Sequence, residues 1–536
     1  MDCIFRDAIS DLDENDPICF GNMRRRLDHL LEDSPGTLGL TRGCLTIILI
    51  AITVFILTSL AKREHNKGTR QYELPFHLGV AISAQNGLHT VKPCAPDLDY
   101  LRRKEYGLTR NIIFRKRCFH GVYSNEAHPR GSVPDIDRPL LGSRRADVLD
   151  LDDECRSISS SEPFDQDRSC EPITLQTPEP FPRANLSNVV FGVATTFSRL
   201  QDSIPQFSHW MSGTGALFLA IIVDESVTDG NLALLESMYG SHDISLTAIR
   251  PWNCSLDVNE QHFAIIRDLV DFSTPETQWA VIIDDDTFFP WPYSIAQLLA
   301  SYNPVVPTYI GGLSESQPSV EHFGVMAYGG AGVFLSMSLV RQLDPHVDDC
   351  LVESLEREGD GLLKNCVRKY TQTELTAIPG LHQLDMRGDL SGFYESGAFP
   401  LSLHHWKSWH QAPVDKMAKV ADFCGECFLQ RWRFDGNTIL ANGYSISIYE
   451  DGISHADLGL IEGTWEAAMG YEGAMGKMRD KAQDGKKKSY RLIDAEEVGG
   501  SLRQVFLHHG SWDLDEDGQG EAMDEVVEIW WEWPQD

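Results

Sequence analysis

Trp279-Ala280-Val281-Ile282-Ile283-Asp284-Asp285-Asp286-Thr287-Phe288-Phe289 is the stretch on which the reading of this chain turns. Its five leading apolar residues fit a short strand buried on both faces. The run then stops on three adjacent carboxylates. At the end of a buried strand these repel one another, and in a dry site they take up protons unless a cation offsets them. A hard divalent ion, Mg²⁺ or Mn²⁺, accepts oxygen ligands and completes its shell with phosphate oxygens. The triplet therefore points to a metal–diphosphate site rather than to a solvated acidic turn.

The neighbouring sequence repeats the pattern. Residues 189–194 (VVFGVA) end on Thr195-Thr196, and residues 217–223 (LFLAIIV) end on Asp224. Between them Phe197, Leu200, Ile204, Phe207 and Trp210 recur at spacings of three or four, the period of a helix. Buried strands alternating with amphipathic helices predict an α/β fold with a mostly parallel central sheet. Ligands of such sheets bind beyond the C-terminal ends of the strands, where Thr195, Asp224 and the acidic triplet all stand.

Composition narrows the partners. The 536 residues carry 46 Lys and Arg against 79 Asp and Glu, a formal charge of −33. No basic field is available for nucleic acid or for adhesion to anionic lipid. Residues 44–61 (CLTIILIAITVFILTSLA) contain no charge and as a helix would span roughly 27 Å, close to the hydrocarbon thickness. Forty-three residues precede this run, too many for the usual head of a signal peptide, so it reads as a membrane anchor. Basic residues are balanced on its two sides and do not orient it. The sequons Asn185-Leu186-Ser187 and Asn253-Cys254-Ser255, and nine of the twelve cysteines, lie C-terminal to it. They favour a lumenal bulk behind a short cytosolic tail. Residues 100–120, basic and aromatic, can hold a strand that docks on the main domain. Residues 127–183, rich in Ser, Pro and acid, read as an exposed linker. Of the C-terminal stretch 513–536, the part around Val526-Val527 and the tryptophans can form a final strand, and the acidic part reads as solvated.

Residues 190–196, 218–224, the IIDDDTFF segment and Tyr328-Gly329-Gly330-Ala331-Gly332-Val333-Phe334-Leu335-Ser336 occur in an order and spacing that resemble the Fringe-like glycosyltransferases of family 31. The signature PGLHQLD…GDLSGFYES…PLSLHHWKSWH, within residues 379–410, is most similar to the uncharacterised plant and fungal Fringe-like branch. The resemblance covers roughly residues 186–450 and implies an inverting, metal-dependent enzyme of the GT-A (Rossmann-like) fold, a type II Golgi membrane protein. The implied layout is a cytosolic tail (1–43), an anchor (44–61), a stem (62–184), a catalytic domain (185–455) and a C-terminal extension (456–536). The implied donor is a UDP-sugar carrying a hexose or N-acetylhexosamine, with Mn²⁺ or Mg²⁺ as cofactor and a glycan or glycoprotein hydroxyl as acceptor.

The resemblance also assigns residues. Thr195, Asp224, Asp284 and Asp285 fall at donor-nucleotide positions, and Gly330, Ala331 and Gly332 at the donor–acceptor junction. Asp284, Asp286, His404 and His405 are the metal candidates. Adjacent residues of a strand point to opposite faces, so one of the two histidines, His404 first, is expected to reach the site. An inverting transfer needs a base for the acceptor hydroxyl. Asp360, in Glu358-Gly359-Asp360-Gly361, stands where the family has a Pro-Asp-Asp segment and is the candidate, with Asp385 or Asp389 as the other acids to consider. A disulfide between Cys350 and Cys366 would fix its loop. Cys424-Gly425-Glu426-Cys427 lacks a second CxxC pair and reads as a local bridge rather than zinc. Lys407 can neutralise phosphate, while Trp406, Trp409 and His410 suit either a sugar-stacking platform or the core. Two further readings use the same residues: a noncatalytic carbohydrate-binding protein of the same fold, and a glycoside hydrolase pairing Asp286 with Asp360. Three contiguous acids plus a histidine fit the metal–diphosphate site better. If the anchor is oriented as read, Asn185 and Asn253 carry glycans and endoglycosidase treatment lowers the apparent mass. Cleavage of the region after residue 62 by a cytosolic protease would refute that orientation.

Overall fold

The structure, a computed structural model, describes residues 98–124, 131–141, 146–153, 155–157, 170–466, 470–510 and 522–533. These fall within one compact unit, Val91–Asp536. The expected anchor at 44–61 and the tail before it lie outside the described residues. Among the described residues no helix is long and apolar enough to cross a membrane.

The first sheet has seven strands: β1 (Val189–Thr195), β2 (Leu217–Ile222), β3 (Ser245–Ile249), β4 (Trp279–Ile282), β5 (Tyr309–Gly311), β6 (Val333–Ser336) and β7 (Leu375–Ala377). Their order is β7-β5-β6-β4-β1-β2-β3. Only β6 runs against the rest, antiparallel to both β4 and β5. The mostly parallel sheet expected from sequence is thus present. Its apolar runs are continuous because alternate residues enter two different cores. Phe191, Val193, Phe218, Ala220, Trp279 and Val281 face one. Val190, Ala194, Leu219, Ile221, Ala280 and Ile282 face the other, among the helices Val258–Phe272, Met337–Leu343 and Gly359–Tyr370. β1 pairs with β4 on one side and β2 on the other, which brings Thr195 and the acidic triplet to the same edge.

A second sheet of eleven strands, among the described residues, packs against the first of these cores. Its centre is Lys487–Val498, Ser501–His508, Asp524–Glu532 and Asn111–Tyr123. Asn111–Tyr123 pairs in parallel with Asp524–Glu532 and with Ile173–Thr177. Residues 100–120 therefore do supply a docked strand, and residues 526–531 a final one. Two local expectations differ. Part of the stretch read as linker is the strand Ile173–Thr177, tied down by a Cys118–Cys170 disulfide. Part of the acidic terminus is buried: Glu528 lies inside, accepting from Tyr100 Oη at 2.5 Å. Alternation explains the first, because every second residue of a half-buried strand is free to be polar; Glu528 is accommodated by its donors, Tyr100 Oη and Trp530 Nε1. The sheet draws strands from both sides of residues 184 and 455.

Where this sheet meets the segment that leads to the site, three charges are buried together. Lys487 Nζ lies 2.6 Å from Glu395 and 2.9 Å from Glu462, and all three side chains are under 10% exposed. Ser445, Ser447 and Arg491 complete the shell of Glu395. Burial works against the charge of Glu395, but Lys487 and Arg491 outweigh it and hold the carboxyl at about 2. Removing the cation breaks the bridge between the two buried carboxylates and leaves Glu395 to Arg491 and Glu462 to Arg479 alone. Lys487→Met should therefore cost about 3–5 kcal/mol in denaturant unfolding; a loss below about 1 kcal/mol would show that the network is not confined as described.

Candidate active site

The chain reverses after β4 in a turn built by its own side chains. Thr287 Oγ1 accepts from Asp284 N–H at 3.0 Å and donates to the Gly330 carbonyl at 2.9 Å, so the acidic turn is anchored to the glycine loop. Phe288 then pairs with Leu403 through two backbone hydrogen bonds, 2.9 and 2.8 Å. That bridge places His404 beside the triplet. His404 Nε2 lies 3.1 Å from Asp284 Oδ2 and 3.1 Å from Asp286 Oδ1, while its Nδ1 donates to the Gln383 carbonyl at 3.2 Å. The backbone contact fixes the ring and leaves Nε2 facing the two acids, the arrangement seen for metal-bound histidines.

The triplet divides within the turn, where the chain has left the strand. Asp284 and Asp286 point to His404. Asp285 points the other way and is buried, with Arg199 donating to both its oxygens at 2.6 Å and Thr195 Oγ1 donating as well. Its backbone carbonyl accepts from Ser203 Oγ, which in turn accepts from Lys407 Nζ at 2.7 Å. Asp285 and Thr195 thus lock the ends of β1 and β4 together. Burial opposes charge on Asp284 and Asp286, yet His262 and His404 hold Asp284, and His404 holds Asp286, below the usual carboxylate range. Burial likewise opposes charge on His404, but the two carboxylates hold its proton well above the ordinary imidazole range. A cation is thus favoured between these groups, and a divalent ion can take the proton's place. Asp286, His404 and His405 have ligand atoms all within 4.8 Å of one another.

A cavity of about 580 Å³ opens in front of this cluster. Of the residues expected from sequence, Thr195, Asp284, Asp285, Asp360, His404 and His405 line it. His405 corrects the expectation that neighbouring histidines diverge. Its φ is +54°, outside the strand conformation, and its ring lies 3.9 Å from that of His404. His405 Nε2 is 3.0 Å from Asp385 Oδ1, and Trp409 stacks on the ring at 4.0 Å. Trp406 is buried and donates to the Asp286 carbonyl at 2.6 Å, and His410 faces Tyr394. These three therefore support the site rather than form one sugar platform. Gly330, Ala331 and Gly332 stand behind the cavity, with Ala331 N–H on Gln383 Oε1. Asp224 accepts from Phe197 N–H at the start of the helix Phe197–Asp202 and does not line the cavity. Asp389 is held by Arg491.

Asp360 enters from the first turn of the helix Gly359–Tyr370 and accepts from Gly329 N–H at 2.7 Å. Burial pushes its carboxyl up to about 6. The Cys350–Cys366 disulfide joins this helix to the preceding one, and Cys424–Cys427 forms a local bridge. Cys254 is free and exposed. Sequence reasoning missed His262, Arg199 and Gln383, which also line the cavity. Arg199 follows the strand-end threonines by one helical turn, a usable signal. His262, inside an amphipathic helix, carries none.

A family model described as "Protein of unknown function, DUF604" matches residues 319–473, which include the glycine loop, Asp360 and both histidines. The chain is similar to chondroitin sulfate synthase 3 of Mus musculus, 26% identical over 131 residues, and to that of Homo sapiens, 26% over 133 residues. Each match covers 23% of this chain and 15% of the relative's length. Among solved structures, the mannosyltransferase PcManGT of Pyrobaculum calidifontis in complex with GDP-Man and Mn²⁺ aligns at TM-score 0.27 and 12% identity, covering 38% of this chain and 59% of that one. The galactosyltransferase LgtC in complex with donor and acceptor sugar analogs aligns at 0.26 and 12%, covering 42% and 81%.

Gly330 gives the cluster a direct test. A Cβ there would fall 2.1 Å from the His404 ring, so the ring must shift to admit it. Gly330→Ala should fold yet weaken Mn²⁺ binding at least tenfold by calorimetry. Unchanged binding would remove His404 from the ligand set.

Proposed function

We propose that the protein is a metal-dependent glycosyltransferase that moves a hexose or N-acetylhexosamine from a UDP-sugar, with inversion, to a hydroxyl of a glycan or glycoprotein. The observation that carries this reading is His404 Nε2 held 3.1 Å from both Asp284 and Asp286, with Asp360 lining the same cavity. The family 31 resemblance and the similarity to chondroitin sulfate synthase 3 support it. Asp286 and His404, with Asp284 and His405 beside them, would hold Mn²⁺ or Mg²⁺. That ion supplies positive charge for the diphosphate and for the departing UDP. Without it a diphosphate meets acidic residues and is repelled. Arg199 and Lys407 hold the Asp285 side of the wall. Asp360 takes the proton of the acceptor hydroxyl; a carboxyl near 6 is ionised at neutral pH yet more basic than an ordinary aspartate, as that step requires. We further propose that the reaction takes place in the lumen of the Golgi, with residues 44–61 as the anchor.

Calorimetry with UDP tests the metal: binding should require Mn²⁺, and Asp286→Ala should abolish that requirement together with tight binding. Equal affinity with and without metal contradicts the site. Transfer from a UDP-sugar should fall as pH drops through about 6, because protonated Asp360 accepts nothing. Asp360→Asn should keep metal-dependent UDP binding and lose transfer by about 10²–10⁴-fold. A raised carboxyl pKa means that the folded state disfavours the ionised form, so stability is lost as pH rises from about 4 to about 6. The same Asn variant should therefore be more stable than wild type at pH 7.5, by on the order of 1 kcal/mol.

A further inference from the structure

Between the acid–histidine cluster and Asp360 one buried polar atom lacks a hydrogen-bond partner. His262 projects from the helix Val258–Phe272 with its side chain 12% exposed, and its Nε2 is shielded from solvent without a hydrogen-bond partner. Asp284 Oδ1 lies 3.3 Å away, within ion-pair reach but without hydrogen-bond geometry. Buried polar atoms in native sites are nearly always paired, so an orphan on a cavity wall points to a group supplied from outside.

The surroundings describe that group. A Cβ on Gly329 would stand 3.0 Å from His262 Nε2 and 2.7 Å from Asp360 Oδ1, so both groups press against the Gly329 backbone and face the cavity side by side. The two helices meet at Gly359, where a Cβ would fall 2.7 Å from the Asn259 carbonyl and 3.1 Å from His262 Cβ. This close approach fixes His262 relative to Asp360. Asp284, Asp360 and Glu358 line the cavity around the ring. Three carboxylates repel a phosphate or a uronate. A neutral hydroxyl both donates and accepts, and satisfies either imidazole tautomer.

Resting on the function proposed above, we infer that His262 Nε2 binds a hydroxyl of the transferred sugar and so contributes to the choice of a neutral hexosyl or N-acetylhexosaminyl donor. Its place between Asp284, at the metal cluster, and Asp360, at the base, is where the sugar of a bound UDP-sugar lies if that function holds.

The experiment compares the affinities of UDP, UDP-glucose, UDP-galactose, UDP-N-acetylglucosamine, UDP-N-acetylgalactosamine and UDP-glucuronate in Mn²⁺ for wild type, His262→Ala and His262→Gln. The expected result is that at least one neutral UDP-sugar binds more tightly than UDP to wild type. His262→Ala weakens it about five- to tenfold more than it weakens UDP, the worth of one lost hydrogen bond, while His262→Gln restores part of the difference. An equal loss for UDP and every UDP-sugar would make His262 a support of Asp284 and overturn the inference. So would no change for any ligand, or a His262-dependent gain for UDP-glucuronate alone. Wild type binding UDP with metal but no sugar more tightly also overturns it and leaves the function standing. Wild type binding none of them overturns the function as well.

Discussion

The site depends on one histidine held between two acids. His404 Nε2 meets Asp284 and Asp286 because three independent pieces of backbone place it there. β4 delivers the acids, the Phe288–Leu403 bridge delivers the histidine, and the Gln383 carbonyl turns the ring. Trp406 donates to the Asp286 carbonyl and Gly330 leaves room for the ring, so the cluster is packed from behind as well as bonded in front. Two carboxylates this close are tolerable only with positive charge between them.

Everything else that lines the cavity is arranged around this centre. Asp285 is withdrawn from it and spent on Arg199 and Thr195, which ties the edges of two strands together. On the far side Asp360 and His262 sit where two helices touch, with a disulfide holding the helix that carries Asp360. The second sheet contributes no lining residue, but its Lys487 and Arg491 grip Glu395, just ahead of the segment that ends in His404. Rigidity of the acid–histidine cluster is thereby drawn from both sheets.

Much of this was legible in the sequence because it is written locally. Continuous apolar runs named β1, β2 and β4, and the acids at the end of β4 marked the edge of the sheet where the candidate site lies. The limits are equally physical. His405 was assigned to the wrong side because period-two alternation holds only for extended backbone, and its φ of +54° breaks the period. Asp224 was placed at the donor by its position after a strand; in the structure it accepts from the Phe197 N–H at a helix start and stands outside the cavity lining. Of the second sheet, the strands Asn111–Tyr123 and Asp524–Glu532 were legible from their apolar and aromatic residues, whereas Ile173–Thr177 was hidden because exposed Thr174 and Gln176 alternate with buried Ile173 and Leu175. His262 was invisible because its role comes from a helix contact with Gly359, a tertiary fact with no local signature.

The central claim is a divalent cation bound by Asp286 and His404 and shared with a diphosphate. Crystals of the wild-type protein grown with MnCl₂ and UDP, measured at the manganese edge, test it most directly. The account predicts an anomalous peak between the Asp286 carboxylate and His404 Nε2, adjoining the UDP phosphates. Bound UDP with no peak there, or a peak coordinated by other residues, would contradict it.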